Sequence, residues 1–291
     1  MKTSSKILDM NVIEEILSDR SIDLNHFREI QPEAAKSIVN FFDDLNLNGL
    51  RNLSVESAQE LAKHKGDLYL NGLKSISPEV ASAFVNHVGG LHLSGLKNLP
   101  MQTARQLALH PGGLGLRGLT KMLPSLAAIL CKVNGTLYLG GLEELPVESA
   151  EAFSQHIYGI GLRGLKSISD ELAVALARHR GGMHLGGLTE ISDNAAKAFG
   201  TQTDALHLGG LTNLSDTAAD ALGQRQGDLH LGGLKSLTEN AAKSLAKHQW
   251  TLILTGLESI SEKAHQAITK HPHVALGYVR MESKTNRKTR R

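Results

Sequence analysis

The sequence of 291 residues predicts an α/β solenoid of short stacked repeats, with a parallel β-sheet on its concave face and helices on its convex face. Two observations predict this fold. A leucine-rich unit recurs at every twenty-third position, and within each unit an alternating apolar pattern is followed by one with helical spacing. Aromatic residues make up only 4% of the chain, so the core must be built from leucine and alanine.

The repeat is regular from residue 22 to residue 274. Its opening segment at Leu45–Leu50 reads LNLNGL, and one step back reaches Ile22, which gives eleven repeats. With each repeat numbered from 1 to 23, position 3 is leucine in all eleven, while position 5 is glycine and position 14 is alanine in ten. Equivalent segments begin at Leu68, Leu91, Leu114, Leu137, Ile160, Met183, Leu206, Leu229 and Leu252.

Each repeat is predicted to form a strand, a turn and a helix. Positions 1, 3 and 6 turn leucines inward from the strand, and positions 9, 14 and 17 form one face of the helix. Serine or threonine at position 10 predicts a helix N-cap. Glycine at position 22, as in Gly66 and Gly181, predicts a left-handed residue after the helix. One unit cannot bury its leucines alone, so the units are expected to stack.

The two ends of the chain depart from the repeat. Residues 1–21 are predicted to form a capping helix, because apolar residues there recur at three- and four-residue spacing. Residues 275–279 are predicted to form a C-terminal cap strand. Residues 280–291 hold six basic residues and one acidic residue, which predicts a disordered basic tail with weak attraction to nucleic acid or to an anionic membrane surface.

The pattern L-x-L-x-G-L-x-x-[LI]-[ST]-x-x-x-A-x-x-[LF]-A runs from Leu68 to Val85 with only its last residue changed, and it resembles the leucine-rich repeat family. The eleven repeats, which occupy residues 22–274, cover most of the chain. They look most like the cysteine-containing type and like short bacterial repeats ending in A-x-x-L-A, as in Ala58–Ala62, with leucine in place of the usual asparagine or cysteine ladder. The resemblance implies a right-handed arc or horseshoe that binds macromolecules, usually proteins, on its concave sheet.

Positions 2 and 4 face solvent on this sheet and supply the candidate ligand-binding residues. In three central repeats they hold Arg117, Tyr138 and Arg163, separated by glycines. Two guanidinium groups ~9.6 Å apart suit a carboxylate or a phosphate, and a tyrosine adds an aromatic anchor. The alternative is two solvated arginines on an exposed sheet. Toward the N-terminus the same positions hold Tyr69 and His92 among asparagine and serine, which predicts a neutral polar surface.

Histidine is concentrated at two positions of the repeat. At position 2, His184, His207 and His230 belong to consecutive repeats and are expected to stack ~4.8 Å apart beside glycines. Three interpretations of this histidine ladder are open: an exposed surface without a ligand, a contact with a partner, or an adventitious metal contact. Carboxylates are expected at the starts of helices and not beside the ladder. Position 20 holds further histidines, predicted to donate hydrogen bonds to carbonyl groups at helix ends: His64, His87, His110, His156, His179, His248 and His271.

The sequence argues against catalysis. No nucleophile, base and orienting group converge in the repeat register, and Cys131 falls at a helix position. Two GxGxxG matches, at Gly113–Gly118 and Gly159–Gly164, place their central glycine inside the strand instead of at a helix start, which disfavours nucleotide binding. No cofactor, no metal site and no enzymatic activity are predicted.

Composition bears on the class of ligand and on the cellular location of the protein. Without its last twelve residues the chain has a formal charge of 25 − 28 = −3, which is unlike a basic nucleic-acid-binding surface. One cysteine is typical of a reducing compartment, and no apolar run is long enough for a membrane span or a Sec-type signal. A cytoplasmic location is expected, with secretion without a Sec signal as the alternative.

The predicted function is that of a non-catalytic protein-binding scaffold that uses its concave sheet. Its partner is expected to be a protein or peptide, with acidic chemistry favoured at the two arginines. The alternative is the recognition part of an exported bacterial effector or of a ubiquitin-ligase assembly, in which a partner chain performs the chemistry.

Overall fold

The computed structural model describes residues 6–18, 23–40 and 42–281, and the chain divides into two compact units, residues 1–144 and 145–291. In both units, short parallel strands alternate with helices of six to nine residues. The strands of the first unit are β1 (Ile7–Leu8), β2 (Glu29–Ile30), β3 (Leu45–Asn46), β4 (Leu68–Tyr69), β5 (Leu91–His92), β6 (Leu114–Gly115) and β7 (Leu137–Tyr138). Its helices are α1 (Met10–Ser18), α2 (Pro32–Ile38), α3 (Val55–Leu61), α4 (Pro78–Ala83), α5 (Met101–Leu107) and α6 (Pro124–Leu130).

The second unit repeats the same plan. Its strands are β8 (Ile160–Gly161), β9 (Met183–His184), β10 (Leu206–His207), β11 (Leu229–His230), β12 (Leu252–Leu254), β13 (Ser259–Ile260), β14 (Val274–Leu276) and β15 (Arg280–Met281). Its helices are α7 (Val147–Phe153), α8 (Asp170–Leu176), α9 (Asp193–Gly200), α10 (Asp216–Gly223), α11 (Glu239–Leu245) and α12 (Glu262–Ile268).

Strand pairing follows the repeat. In the first unit β3 to β7 pair in chain order and in parallel, with Leu45 opposite Leu68 and Asn46 opposite Tyr69. In the second unit β8 to β12 do the same, and β14 then pairs with β12 after a step one residue shorter than the period, from Leu252 to Val274. Repeat position 1 of one strand therefore lies beside position 1 of the next, as the unbroken period predicts.

The core consists of the inward leucines and the helix face that covers them. Leu45, Leu47 and Leu50 are fully buried, as are Ala58 and Leu61 of the following helix. Each helix with serine or threonine at position 10 has the predicted N-cap, in which the side-chain oxygen accepts a hydrogen bond from the backbone N–H three residues later. The confirmed caps are Ser54, Ser77, Ser169, Ser192, Ser215, Thr238 and Ser261.

The prediction of left-handed glycines at position 22 is wrong for most repeats. Within the described residues, positive φ occurs at Gly181 and Gly227. At Gly66 the reason for glycine is close approach, because a Cβ there would lie 1.5 Å from the carbonyl oxygen of Asp43 in the preceding repeat. Gly89, Gly112 and Gly135 face the same obstacle from the repeat before them.

The terminal repeats also differ from the sequence expectation. The first repeat opens with a 3₁₀ turn at Leu24–His26 instead of a strand, because the Asp23 side chain accepts a hydrogen bond from Asn25 N at 2.9 Å. A further strand comes from the other end, where β14 overlaps the segment predicted as a cap strand. Arg280, assigned by the sequence to the tail, lies in β15, which pairs with β13. The remaining tail residues, 282–291, lie outside the described residues.

None of the helices in the described residues has the length and apolar character needed to cross a bilayer.

Candidate binding face

Position 2 of each repeat places its side chain on the sheet face opposite the helices. In β3 to β12 the residue at position 1 is fully or almost fully buried, while its neighbour at position 2 is at least partly exposed unless it is glycine. This alternation is the period of a β-strand, and it creates a row of side chains that runs across the strands. The two units fill this row differently.

In the first unit the row contains three rings, which we call the aromatic row: Tyr69, His92 and Tyr138. The rings of Tyr69 and His92 stack, with centroids 4.3 Å apart and planes 5° from parallel. His92 and Tyr138 come from strands two apart, yet their centroids are only 6.1 Å apart. The His92 ring leans over Gly115, where a Cβ would meet its Nδ1 at 2.8 Å. Glycine at this position therefore lets the three rings form one continuous surface.

Charged groups border the aromatic row. The Arg117 guanidinium carbon lies 5.3 Å from the centroid of the Tyr138 ring, which is cation–π geometry. The Nε2 of His92, the middle ring of the row, lies 3.3 Å from the Asp67 Oδ2. The expectation of a neutral surface without carboxylates is thus wrong at Asp67. The sequence signal was there, because position 23 is aspartate in both Asp44 and Asp67, directly before strands β3 and β4.

Hydrogen bonds to the backbone hold these polar side chains in place. Asp44 Oδ1 accepts from Asp67 N at 2.9 Å, and Asp67 Oδ1 accepts from Gly90 N at 2.7 Å. Asn48 and Asn71 accept in the same way from the backbone one repeat later. Burial acts to raise the pKa of Asp67, but the Gly90 hydrogen bond and the His92 ring outweigh it and hold that pKa below its ordinary value. Asp67 is therefore a fixed anion at neutral pH.

In the second unit the row contains the three histidines, which we call the histidine row: His184, His207 and His230. Their rings stack with centroids 3.9 and 3.8 Å apart. The stacking was predicted, but these distances are shorter than the ~4.8 Å between strands, because the side chains lean together. Beside them, a Cβ added at Gly186 or Gly209 would have no atom within 4 Å. The sheet surface next to the histidine row therefore consists of exposed backbone without side chains.

Each ring of the histidine row has a pKa below its ordinary value. Burial, together with the charges of His184, His230 and Arg163, lowers the pKa of His207 to about 4. The pKa values of His184 and His230 are also lowered, first by burial. Asp228 opposes the shift at His230, and it is a second carboxylate that the sequence analysis did not place near the row.

The structure brings some of the predicted site residues together and leaves others apart. Tyr69, His92, Tyr138 and Arg117 form one cluster in the first unit. Arg163 belongs to the second unit, is exposed, and acts electrostatically on His184 and His207. The predicted pairing of the two arginines around one ligand stays a prediction.

The histidines of position 20 have the predicted structural role in part, because the Nδ1 of His271 instead accepts a hydrogen bond from His273 N at 3.0 Å. They are buried, and four place Nδ1 2.8–3.1 Å from a carbonyl oxygen of the preceding repeat, so Nδ1 must carry the proton and donate. Burial lowers the pKa of His87, His110 and His179, which favours the neutral ring. The same position holds Gln202 and Arg225 in two repeats; both are buried and both also donate to backbone carbonyls.

Other chemistry is sparse in the described residues. Burial raises the pKa of Cys131, which disfavours its thiolate. Across residues 6–18, 23–40 and 42–281, no group of three or more histidine, cysteine or acidic side chains is arranged to hold a metal ion.

Among known proteins, only solved structures are similar to this chain. No protein-family model and no curated protein matches the chain. The Toll–Spatzle complex, a hub in Drosophila development and innate immunity, matches with 14% identity and a TM-score of 0.55 over 90% of this chain and 40% of that one. The TLR13–ssRNA13 complex matches with 15% identity and a TM-score of 0.55 over 89% and 38%.

The chain thus spans about 40% of the length of these neighbours, and at such identity the likeness shows the fold alone. Both neighbours are leucine-rich-repeat proteins, and this chain shares their plan of parallel strands alternating with helices. The resemblance to bacterial-type repeats stays a prediction. The protein has the α/β solenoid fold of leucine-rich repeats.

Proposed function

We propose that the chain is a non-catalytic protein-binding scaffold and that the aromatic row of the first unit is its main contact surface. The observation that carries this proposal is the continuous cluster of Tyr69, His92, Tyr138 and Arg117 on a sheet face where all three rings remain partly exposed. Tyrosine and arginine are enriched where protein interfaces concentrate their binding energy. The rings already contact one another, so little side-chain entropy is lost when a partner binds.

Charge favours protein over nucleic acid as the partner class. The structural neighbours include one complex with a protein and one with single-stranded RNA, so fold alone does not choose between them. Single strands bind where aromatic platforms lie in a positive groove. Here the aromatic row is bordered by Asp44 and Asp67, and the chain without its last twelve residues has a net charge of −3. These carboxylates would repel a phosphate backbone.

Site-specific photo-crosslinking tests the proposal. A photoreactive amino acid at Tyr138 should capture a protein partner from cells, whereas the same probe at Arg105, exposed on α5, should not. The double variant Tyr69→Ala/Tyr138→Ala should lose the partner with little change in thermal midpoint, and Tyr278→Ala, a fully exposed tyrosine, serves as control. Equal capture from both probe positions, or a product that nuclease removes, would contradict the proposal.

Replacing each arginine separately asks which unit takes part. Arg117→Glu should weaken partner binding, because it reverses the charge next to Tyr138. Arg163→Glu tests the expected role of the second arginine. If only Arg163→Glu weakens binding, the contact surface belongs to the histidine row instead.

A further inference from the structure

We propose that the first unit binds an extended peptide segment of mixed charge, with a basic side chain at one end, an acidic side chain four or five residues away, and a flat uncharged side chain between them. This inference rests on the proposed function and specifies the partner. It extends the expectation of an acidic partner, because the structure places fixed carboxylates beside the aromatic row.

The start of the strands is acidic. Asp43, Asp44 and Asp67 come directly before β3 and β4, and Asp43 and Asp44 are exposed. The Asp67 side chain remains 41% exposed although Oδ1 accepts from Gly90 N and Oδ2 lies near His92. Because the backbone fixes the carboxylates of Asp44 and Asp67, they are preorganised to receive an ammonium or guanidinium group. An acidic ligand would meet repulsion here.

The end of the strands is basic. Arg117 follows β6 with its guanidinium beside the Tyr138 ring, and Arg51, Lys74 and Lys97 are exposed in the turns after β3, β4 and β5. An arginine fork held near an aromatic ring can bind a carboxylate in bidentate fashion. From β3 to β6 the face is therefore polarised along the strand direction, with carboxylates at one edge and cations at the other, whereas the turn after β7 holds the exposed Glu143 and Glu144.

The spacing sets the length of the ligand. Asp67 and Arg117 are separated by two strand spacings of ~4.8 Å and by four residues of ~3.3 Å along the strand, which is roughly 16 Å along the diagonal. An extended chain of about five residues spans that distance. The rings of Tyr69, His92 and Tyr138 lie along this path, so the middle of the ligand meets a flat uncharged surface.

A charge-scanning peptide array provides the test. The peptides have tyrosine at the centre of five residues, glycine on either side of it, and lysine, glutamine or glutamate at each end in all combinations. The wild-type chain should bind one of the two mixed-charge orders about three- to tenfold better than peptides with equal end charges. Longer and shorter spacers between the charged ends should bind less well.

Two variants test which end of the face binds which charge of the peptide. Arg117→Glu reverses the charge beside the Tyr138 ring, so an acidic residue at that end of the peptide should lose its advantage over lysine. Asp67→Asn keeps an oxygen that can accept from Gly90 N, so the fold is preserved, and it should weaken the mixed-charge peptide about threefold. Arg105→Glu on the helix side should leave the ranking unchanged.

The outcomes separate this inference from the proposed function. An unchanged ranking with Arg117→Glu, a best peptide with equal end charges, or no binding at millimolar concentration would overturn the inference. If Tyr69→Ala/Tyr138→Ala still abolishes capture of the cellular partner in those cases, the protein-binding function stands without it. Loss of both results would reject the aromatic row as a binding surface.

Discussion

The residues of the aromatic row and of the histidine row are both at position 2 of their repeats, yet the two surfaces differ in charge. In the first unit the rings are bordered by Asp67 and Arg117, which gives a polarised face. In the second unit three like rings stack beside bare glycine, which gives a nearly neutral face at pH 7. The position in the repeat therefore fixes the direction of a side chain. The residues at positions 23 and 4 beside it determine which ligand groups it can bind.

The largest expected effect tests whether the two rows rest on equivalent cores. Leu139 lies beneath the aromatic row and Leu208 beneath the histidine row, and both are fully buried. Leu139→Ala and Leu208→Ala should each lower the free energy of unfolding by roughly 2–5 kcal/mol, through lost burial and a residual cavity. Denaturant unfolding measures this, with Leu123→Ala, largely exposed, as the control. A cost confined to one unit would mean that the two cores are not equivalent.

A smaller effect separates structural glycines from free ones beside the histidine row. A Cβ at Gly210 would lie 2.5 Å from the carbonyl oxygens of Gly186 and Leu188, whereas one at Gly209 would touch nothing. Gly210→Ala should therefore cost about 1–3 kcal/mol of unfolding free energy, because the neighbouring backbone must shift. Gly209→Ala should be neutral within about 0.5 kcal/mol. An equal loss of unfolding free energy in both variants would show that the glycine at position 209 is required for packing.

These glycines show what the sequence predicts and what it leaves out. The unbroken period was enough to predict the parallel strands, their register, the leucine core and the serine caps, because each repeat must bury the same positions. The period says nothing about distances between side chains of different repeats. For that reason the sequence analysis missed the contact of Asp67 with His92 and the role of Gly115, which depend on two or three repeats together.

The ends of the solenoid were predicted less well for a related reason. A repeat in the middle has a like repeat on both sides, whereas a terminal repeat has one on one side only. There a local hydrogen bond decides the outcome, as when Asp23 caps the 3₁₀ turn in place of the expected strand. The extra strand β14 appears at the other end after a step one residue shorter than the period, which a search for an unbroken period does not find.

Acid stability should test the buried histidines of position 20. Burial lowers the pKa of His87 in the folded protein, so the unfolded chain binds more protons below its ordinary value of ~6.5. The stabilisation is therefore present above pH ~6.5 and is lost as the pH falls toward the lowered pKa, at up to about 1.4 kcal/mol per pH unit for each such histidine.

The chain itself offers the matched variant for this test. Gln202 takes the place of histidine at position 20 of one repeat, where its side-chain amide donates to the His179 carbonyl oxygen at 3.2 Å. His87→Gln should likewise keep the bond to the His64 carbonyl oxygen but cannot be protonated. Urea unfolding at several pH values should show a shallower acid slope for this variant than for wild type. An unchanged slope would mean that His87 does not contribute to acid sensitivity.

The smallest effect concerns the order in which the histidine row becomes charged. His207 has a stacked neighbour on each side, and its pKa of about 4 has burial as the first cause and the charges of His184 and His230 as the next. NMR titration of the ring protons should therefore find that His207 is protonated last as the pH falls. In the double variant His184→Gln/His230→Gln the pKa of His207 should rise, because the like charges are gone, but it should stay below ~6.5 because the ring remains partly buried. A return to the ordinary value would assign the whole shift to charge repulsion, and no change would assign it to burial. A partner that binds the neutral His207 ring should lose this contact only near pH 4, whereas contacts with Asp67 and Arg117 in the first unit should not follow this transition.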